Sequence, residues 1–111
     1  MKVSITQNEQ KAGLLGGKRE WHTTLTVQAS EEELAIVSSC NLASFPAIDI
    51  PIGGADDATY TIEQMLGGPL RAISTNKWHA NDIARRMKGA VYSLKELLDQ
   101  TTADETGEFE L

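Results

Sequence analysis

Apolar and polar positions repeat with helical spacing in the last third of the chain. Between Thr75 and Gln100 the larger apolar residues recur at intervals of three or four, which is the spacing of one face of an α-helix. This stripe consists of Ile83, Met87, Val91, Leu94 and Leu98. A helix of this length runs for roughly 38 Å, whereas a compact domain of about 100 residues has a radius of gyration near 13 Å. The helix is therefore predicted to cross the domain or to project from it.

Two stretches near the start of the chain alternate between apolar and polar residues, as strands with one buried face do. The first contains Val3 and Ile5, and the second runs from Trp21 to Val27. The segment between them, from about Glu9 to Arg19, contains three glycines. Such a glycine density favours a hairpin with a long flexible loop.

A capping box marks the next element. Ser30 and Glu33 have the spacing at which each side chain accepts a hydrogen bond from the other residue's backbone amide. The helix that begins there is predicted to end near Cys40, with Asn41 as a left-handed terminator, because Pro46 excludes a continuation.

The segment before the long helix alternates between short elements and loops. Its apolar spacing predicts a strand over 47–52 that lies at an edge or ends at Pro51, followed by a loop from Gly53 to Thr59. Thr61 and Gln64 have the spacing of a second capping box and predict a short helix. A strand over 70–73 follows, and the long helix is predicted to have its cap at Ser74 or Thr75.

The order of these elements predicts an α+β fold of two layers. A small, mostly antiparallel sheet of three or four strands packs against the long C-terminal helix and two shorter helices. The body is expected to span residues 1–101 as one domain, and residues 102–111 form an acidic tail that is expected to be flexible.

Composition supports one ordinary globular domain. The 111 residues are 41% hydrophobic and 23% charged, and no apolar run is long enough to cross a membrane. The first residues lack the apolar segment of a signal peptide, so a soluble, cytoplasmic protein is expected. The single Cys40 fits a reducing compartment and is interpreted as a small buried apolar residue.

Charge is unevenly distributed along the chain. The net charge of −6 argues against direct binding to nucleic acid, which requires many basic contacts to phosphate. Residues 31–70 contain seven acidic residues and no basic ones, and this surface is a candidate mimic of a nucleic-acid backbone. The acidic residues are Glu31, Glu32, Glu33, Asp49, Asp56, Asp57 and Glu63.

The sequence contains no catalytic or metal-binding motif, and it implies no cofactor. The glycine-rich segment near the start departs from a phosphate-binding loop at Ala12 and Arg19, and it is interpreted instead as a mobile hairpin loop with Leu14 and Leu15 near its tip. A contact loop formed by these two leucines is the alternative. His22 and His79 lack metal-ligand spacing.

The long helix contains a second line of residues on the side opposite its apolar stripe. Trp78, Arg85, Tyr92 and Asp99 are seven residues apart, and aromatic residues interleaved with arginine are typical of protein interfaces. Nearby, Gly89 lowers the helix propensity by about 1 kcal/mol relative to alanine. We expect a close approach of another backbone to offset that cost. The sheet is the favoured neighbour, and a second copy of the helix is the alternative.

The favoured hypothesis is a small non-enzymatic interaction or regulatory protein that binds a protein partner, most simply itself, as a homodimer. The first alternative is an acidic nucleic-acid mimic that inhibits a nucleic-acid-binding protein, for which a phage or a mobile element is the suggested source. The second is an enzyme or small-ligand protein in which His22, Cys40 or Asp57 meet in a pocket.

Overall fold

The computed structural model describes residues 1–12, 18–51 and 57–106. They form five strands and three helices. In chain order these are β1 (Lys2–Ala12), β2 (Lys18–Gln28), α1 (Glu31–Ser39), β3 (Pro46–Pro51), β4 (Asp57–Thr61), α2 (Ile62–Leu66), β5 (Leu70–Ser74) and α3 (Lys77–Thr106). The predicted two-layer α+β architecture is confirmed.

The larger sheet has three antiparallel strands in the order β1-β2-β5. Val3 pairs with Val27, and Leu25 pairs with both Ile5 and Leu70, so these side chains share the face that looks towards α3. The opposite face is formed by serines, threonines and other polar residues of β1 and β2. The alternating pattern in the sequence therefore corresponds to one packed face and one solvated face.

The smaller sheet pairs β3 with β4, and the sequence predicted β3 but not β4. The prediction of a loop from Gly53 to Thr59 is wrong for its last three residues, because β4 begins at Asp57. Its sequence, DATYT, is short and mostly polar, so its extended conformation depends on pairing with β3 rather than on an apolar pattern. Residues 52–56 lie outside the described residues.

The hairpin loop between β1 and β2 is shorter than predicted. The ladder continues to the pair of Ala12 with Lys18, so most of the segment expected as loop is strand. An ion pair of 3.1 Å between Nη1 of Arg19 and Oε1 of Glu9 links the two strands diagonally there. Within the predicted loop, residues 13–17 lie outside the described part of the chain, and these include the predicted contact residues Leu14 and Leu15.

Both predicted capping boxes are present. Oγ of Ser30 accepts from the amide of Glu33, whose carboxylate accepts from the amide of Ser30. Thr61 and Gln64 make the same reciprocal bonds at the start of α2. At the end of α1, Asn41 has a φ of 54°, as predicted for a left-handed terminator.

The long helix α3 begins and ends later than predicted. Its cap is Asn76 rather than Ser74 or Thr75, since Oδ1 of Asn76 accepts from the amide of Trp78 at 2.7 Å. Ser74 is used as the last residue of β5, and its hydroxyl instead exchanges two hydrogen bonds with the backbone of Asn76. The helix then continues past Gln100 to Thr106 and enters the segment predicted as a tail. Residues 107–111 lie outside the described residues, and the flexibility of the tail remains a prediction.

The core lies between α3 and both sheets. Met87 and Ile83 from the helix are at most 1% exposed, as are Leu25 from the larger sheet and Ile50 from the smaller one. The apolar stripe predicted from the sequence is therefore the surface that joins the two sheets. With 30 residues, α3 is about 45 Å long, and the chain extends over 71 × 25 × 19 Å.

Candidate functional site: the outer face of α3 and the adjoining groove

The side of α3 that faces away from the sheets exposes two large aromatic residues. Trp78 is 84% exposed and Tyr92 is 61% exposed, the two highest values among the exposed large apolar residues of the described chain. Arg85 lies between them with its side chain 81% exposed, and Asp99 is also exposed. We call this surface, together with Gly89, the outer face of α3.

The predicted line of residues turns slowly around the helix. An α-helix drifts by about 20° per heptad relative to a seven-residue repeat, so three heptads rotate the line by roughly 60° between Trp78 and Asp99. Trp78 consequently points away from the body, whereas Tyr92 and Asp99 also border a groove beside the sheet. The sequence placed all four residues on one line, and the drift divides them between two surfaces that meet at Tyr92.

Gly89 lies in the middle of the outer face, and packing against the described part of the chain does not require a glycine there. A Cβ atom added there would meet no heavy atom within 4 Å. Close approach of the sheet, which the sequence analysis considered, therefore does not explain this glycine. Its cost of about 1 kcal/mol relative to alanine has no compensation from the described residues of its own chain.

The charges of α3 are arranged against its macrodipole. Lys77–Lys88 contains four basic residues and one acidic residue, whereas residues 89–106 contain one basic and four acidic residues. The first turn contains no acidic residue and the last turn no basic residue. Because the N-terminal end of a helix carries partial positive charge and the C-terminal end partial negative charge, this arrangement disfavours the isolated helix.

Ion pairs within α3 use only part of this charge. Nε of Arg86 lies 3.0 Å from a carboxylate oxygen of Asp82, one turn before it. Arg86 also donates to the backbone carbonyl of Asp49 at 3.4 Å, which ties α3 to β3. Arg85 approaches Asp82 only to 3.9 Å, so its exposed guanidinium keeps donors for another partner.

A groove of about 450 Å³ lies between β1 and α3, and we call it the β1–α3 groove. It exists because α3 covers β2 but leaves the edge strand β1 partly open. Val3 is 42% exposed, whereas Val27, its partner across the ladder, is 4% exposed. Ile5, Val91 and Leu98 complete the apolar floor. Burial of a valine side chain stabilises by about 1.5 to 3 kcal/mol, which is partly unrealised at Val3.

Charged residues border the groove. Lys88 and Lys95 lie along its rim on α3, and Glu33 enters it from α1. Oε1 of Glu33 lies 3.1 Å from the α-amino group of Met1, and the same oxygen accepts from the amide of Ser30 at 2.9 Å. The amide of Ser30 is the largest cause of the lowered pKa of Glu33, and the hydroxyl of Ser30 and the amino group of Met1 add to it, while partial burial opposes it.

Sequence reasoning missed the groove. Val3 and Lys88 are separated by 85 positions, and neither belongs to a motif. The only available signal was the apolar face of a strand that lies at the edge of its sheet, and the order of strands in a sheet is not encoded in a local pattern.

The acidic residues proposed as a mimic surface do not gather in one place. Glu33 faces Lys88 and Lys95 on one flank of α3, whereas Asp49 lies beside Arg86 and Ser93 on the other. Glu31 and Glu32 are in the first turn of α1, and Glu63 is in the first turn of α2. Asp57 is described only in its backbone, as the first residue of β4, and Asp56 lies outside the described residues.

Two of the residues proposed for a pocket, His22 and Cys40, contact different neighbours. Nε2 of His22 lies 3.3 Å from Glu20 on the same strand, and its Nδ1 is buried without a hydrogen-bond partner in the described chain. Cys40, a half-buried free thiol at the end of α1, lies 3.7 Å from the hydroxyl of Ser39. No group of three metal-ligating side chains occurs among the residues whose side chains are described.

Comparisons with known proteins add no functional information. No protein-family model, curated protein or solved structure gives a significant match to this chain. Within residues 1–12, 18–51 and 57–106, none of the helices combines the length and apolar character needed to span a membrane.

The lowered pKa of Glu33 makes stability depend on pH. Because the folded-state pKa of Glu33 is lower than the ordinary value that it has in the unfolded chain, the ionised group stabilises the fold above that ordinary value. This contribution is lost as the pH falls through the folded-state pKa. Glu33→Gln keeps an acceptor for the amide of Ser30 but removes the charge. The variant is expected to lose less free energy of unfolding than the wild type from about pH 6 to about pH 3, measured by urea denaturation.

Glu32→Gln is the matched control, since Glu32 is an exposed first-turn residue without the contacts of Glu33. It is expected to follow the wild-type pH profile. Identical profiles for Glu33→Gln and the wild type would contradict the assignment.

Proposed function

We propose that this protein is a non-enzymatic interaction module that associates with a second copy of itself through the outer face of α3. The observation that carries the proposal is the 84% exposure of Trp78 on a helix whose opposite face forms the core. Tryptophan, tyrosine and arginine supply much of the binding energy of protein interfaces, because they bury a large area at a low entropic cost. When they are left exposed to water on a single chain, the same side chains add little to the stability of the fold.

Charge favours a second copy, in antiparallel orientation, as the partner. The first twelve residues of α3 have a net charge of +3, and the remaining eighteen have a net charge of −3. An antiparallel copy brings the basic half of each helix beside the acidic half of the other and also opposes the two macrodipoles. The arrangement that disfavours the isolated helix thus favours the pair.

Gly89 supports a specific register for that pair. A two-fold axis beside Gly89 lies midway between Arg85 and Tyr92 in sequence, so Arg85 stacks on Tyr92 of the second copy. Trp78 then lies opposite Asp99 of the second copy, whose carboxylate is an acceptor for the indole N–H. We favour this register because the uncovered glycine is where two backbones approach most closely.

The alternative of acidic mimicry receives less support. Glu33 is engaged by Met1 and Ser30, and Asp49 lies on the other flank of α3. A mimic requires a continuous acidic surface.

We propose a cytoplasmic location for the protein. The free thiol of Cys40 supports it, because it fits a reducing compartment.

Removal of the two aromatic side chains tests the proposal. The wild type is expected to be a dimer by light scattering at micromolar concentration, and the double variant Trp78→Ala, Tyr92→Ala is expected to be a monomer. Both residues are exposed in the single chain, so the variant is expected to keep its fold. Phe45→Ala is the matched control, because Phe45 is 47% exposed and lies outside α3.

A monomeric wild type would refute self-association. A dimer that survives the double substitution but not disruption of β3 would move the interface to that sheet edge.

Gly89→Ala separates the stability of the chain from association. In the monomer the added methyl group meets no atom, so the free energy of unfolding should rise by about 1 kcal/mol. In the dimer the methyl group lies between the helices, and the dissociation constant should rise about tenfold or more, equivalent to about 1.4 kcal/mol. Sedimentation equilibrium measures the dissociation constant, and urea denaturation at a protein concentration low enough to give monomers measures the free energy of unfolding. A stabilised monomer with unchanged association would remove Gly89 from the interface.

A further inference from the structure

The β1–α3 groove leaves apolar surface open to water in a concave site. Val3 and Ile5 project from the edge strand, and Val91 and Leu98 face them from the helix. The volume of about 450 Å³ is in the range of small-molecule sites, about 300 to 1,000 Å³. The groove follows the helix axis for about 15 Å between Lys88 and Leu98, which suits a linear ligand the length of a medium-length acyl chain better than a compact one.

The rim of the groove is cationic where it is accessible. Lys88 and Lys95 are two turns apart on the same side of α3, and neither has an ion-pair partner in the part of the chain that the structure describes. Their flexible side chains can converge on one anionic group.

The acidic residues of the groove do not neutralise this rim. The carboxylate of Glu33 is held by the amino group of Met1 and the amide of Ser30. Asp99 lies one turn beyond Lys95, at the end of the groove, and makes no ion pair with it in the structure. Among the described residues of the groove, two lysines therefore stand against the one unengaged carboxylate of Asp99, and the net accessible charge beside the apolar floor is positive.

We propose that the β1–α3 groove binds a single-chain anionic amphiphile, with its alkyl chain over Val3 and Ile5 and its head group between Lys88 and Lys95. Hydrophobic burial supplies the affinity, and the two lysines select the sign of the head group. The site is formed within one chain and does not require self-association.

Calorimetric titration with dodecanoate, below the concentration at which it forms micelles, tests the site. One dodecanoate is expected to bind per chain, more tightly than dodecanol or dodecylamine. The double variant Lys88→Gln, Lys95→Gln should weaken dodecanoate binding about tenfold or more and leave dodecanol unchanged. Val3→Asp should weaken both ligands, because it places a charge in the apolar floor. Dodecyl phosphate in place of dodecanoate distinguishes a phosphate from a carboxylate head group.

Two controls separate the site from general stickiness and from the dimer interface. Lys77→Gln removes an exposed lysine of the same helix outside the groove and should bind dodecanoate as the wild type does. Trp78→Ala removes an outer-face residue that does not line the groove of its own chain, and because the site does not require self-association this variant should also bind dodecanoate normally. Equal affinity for dodecanoate and dodecanol, normal binding by the double lysine variant, loss of binding in Trp78→Ala, or no binding at all would overturn the proposal.

Discussion

The fold depends on the burial of one apolar stripe of α3 against two separate sheets. Met87 and Ile83 are covered from below by Leu25 of the three-stranded sheet and by Ile50 of the two-stranded sheet. An isolated two-stranded sheet is marginal in water, so β3 and β4 need this helix. Hydrophobic burial is the dominant favourable contribution to folding. Loss of the stripe would therefore remove the packing surface of both sheets at once.

Over residues 77–100, where burial is described, the same helix is covered along one side. Its inner stripe is buried as far as Leu98, whereas Trp78 and Tyr92 on the opposite side are exposed. It also leaves the edge strand β1 partly uncovered, which creates the groove beside Val3. The two proposed sites follow from this one geometric fact: the outer face is what the body does not cover, and the groove is what the helix does not cover.

Local patterns predicted the elements that local interactions stabilise. The stripe of α3, the capping boxes at Ser30 and Thr61, and the terminator Asn41 depend on residues within a few positions of each other. β4 was missed because its strand depends on a partner, and the cap at Asn76 was missed because β5 continues through Ser74. Likewise, exposure of Trp78 follows from helical spacing, whereas the groove depends on which strand lies at the sheet edge.

The central claim is that the outer face of α3 is open in one chain and covered by a second. Tryptophan fluorescence of a Trp21→Phe variant reports on Trp78 alone, since the chain has two tryptophans. We predict that on raising the protein concentration the emission shifts to shorter wavelength and acrylamide quenching falls, as the indole leaves water. Emission and quenching typical of a fully hydrated indole at every concentration would contradict the account.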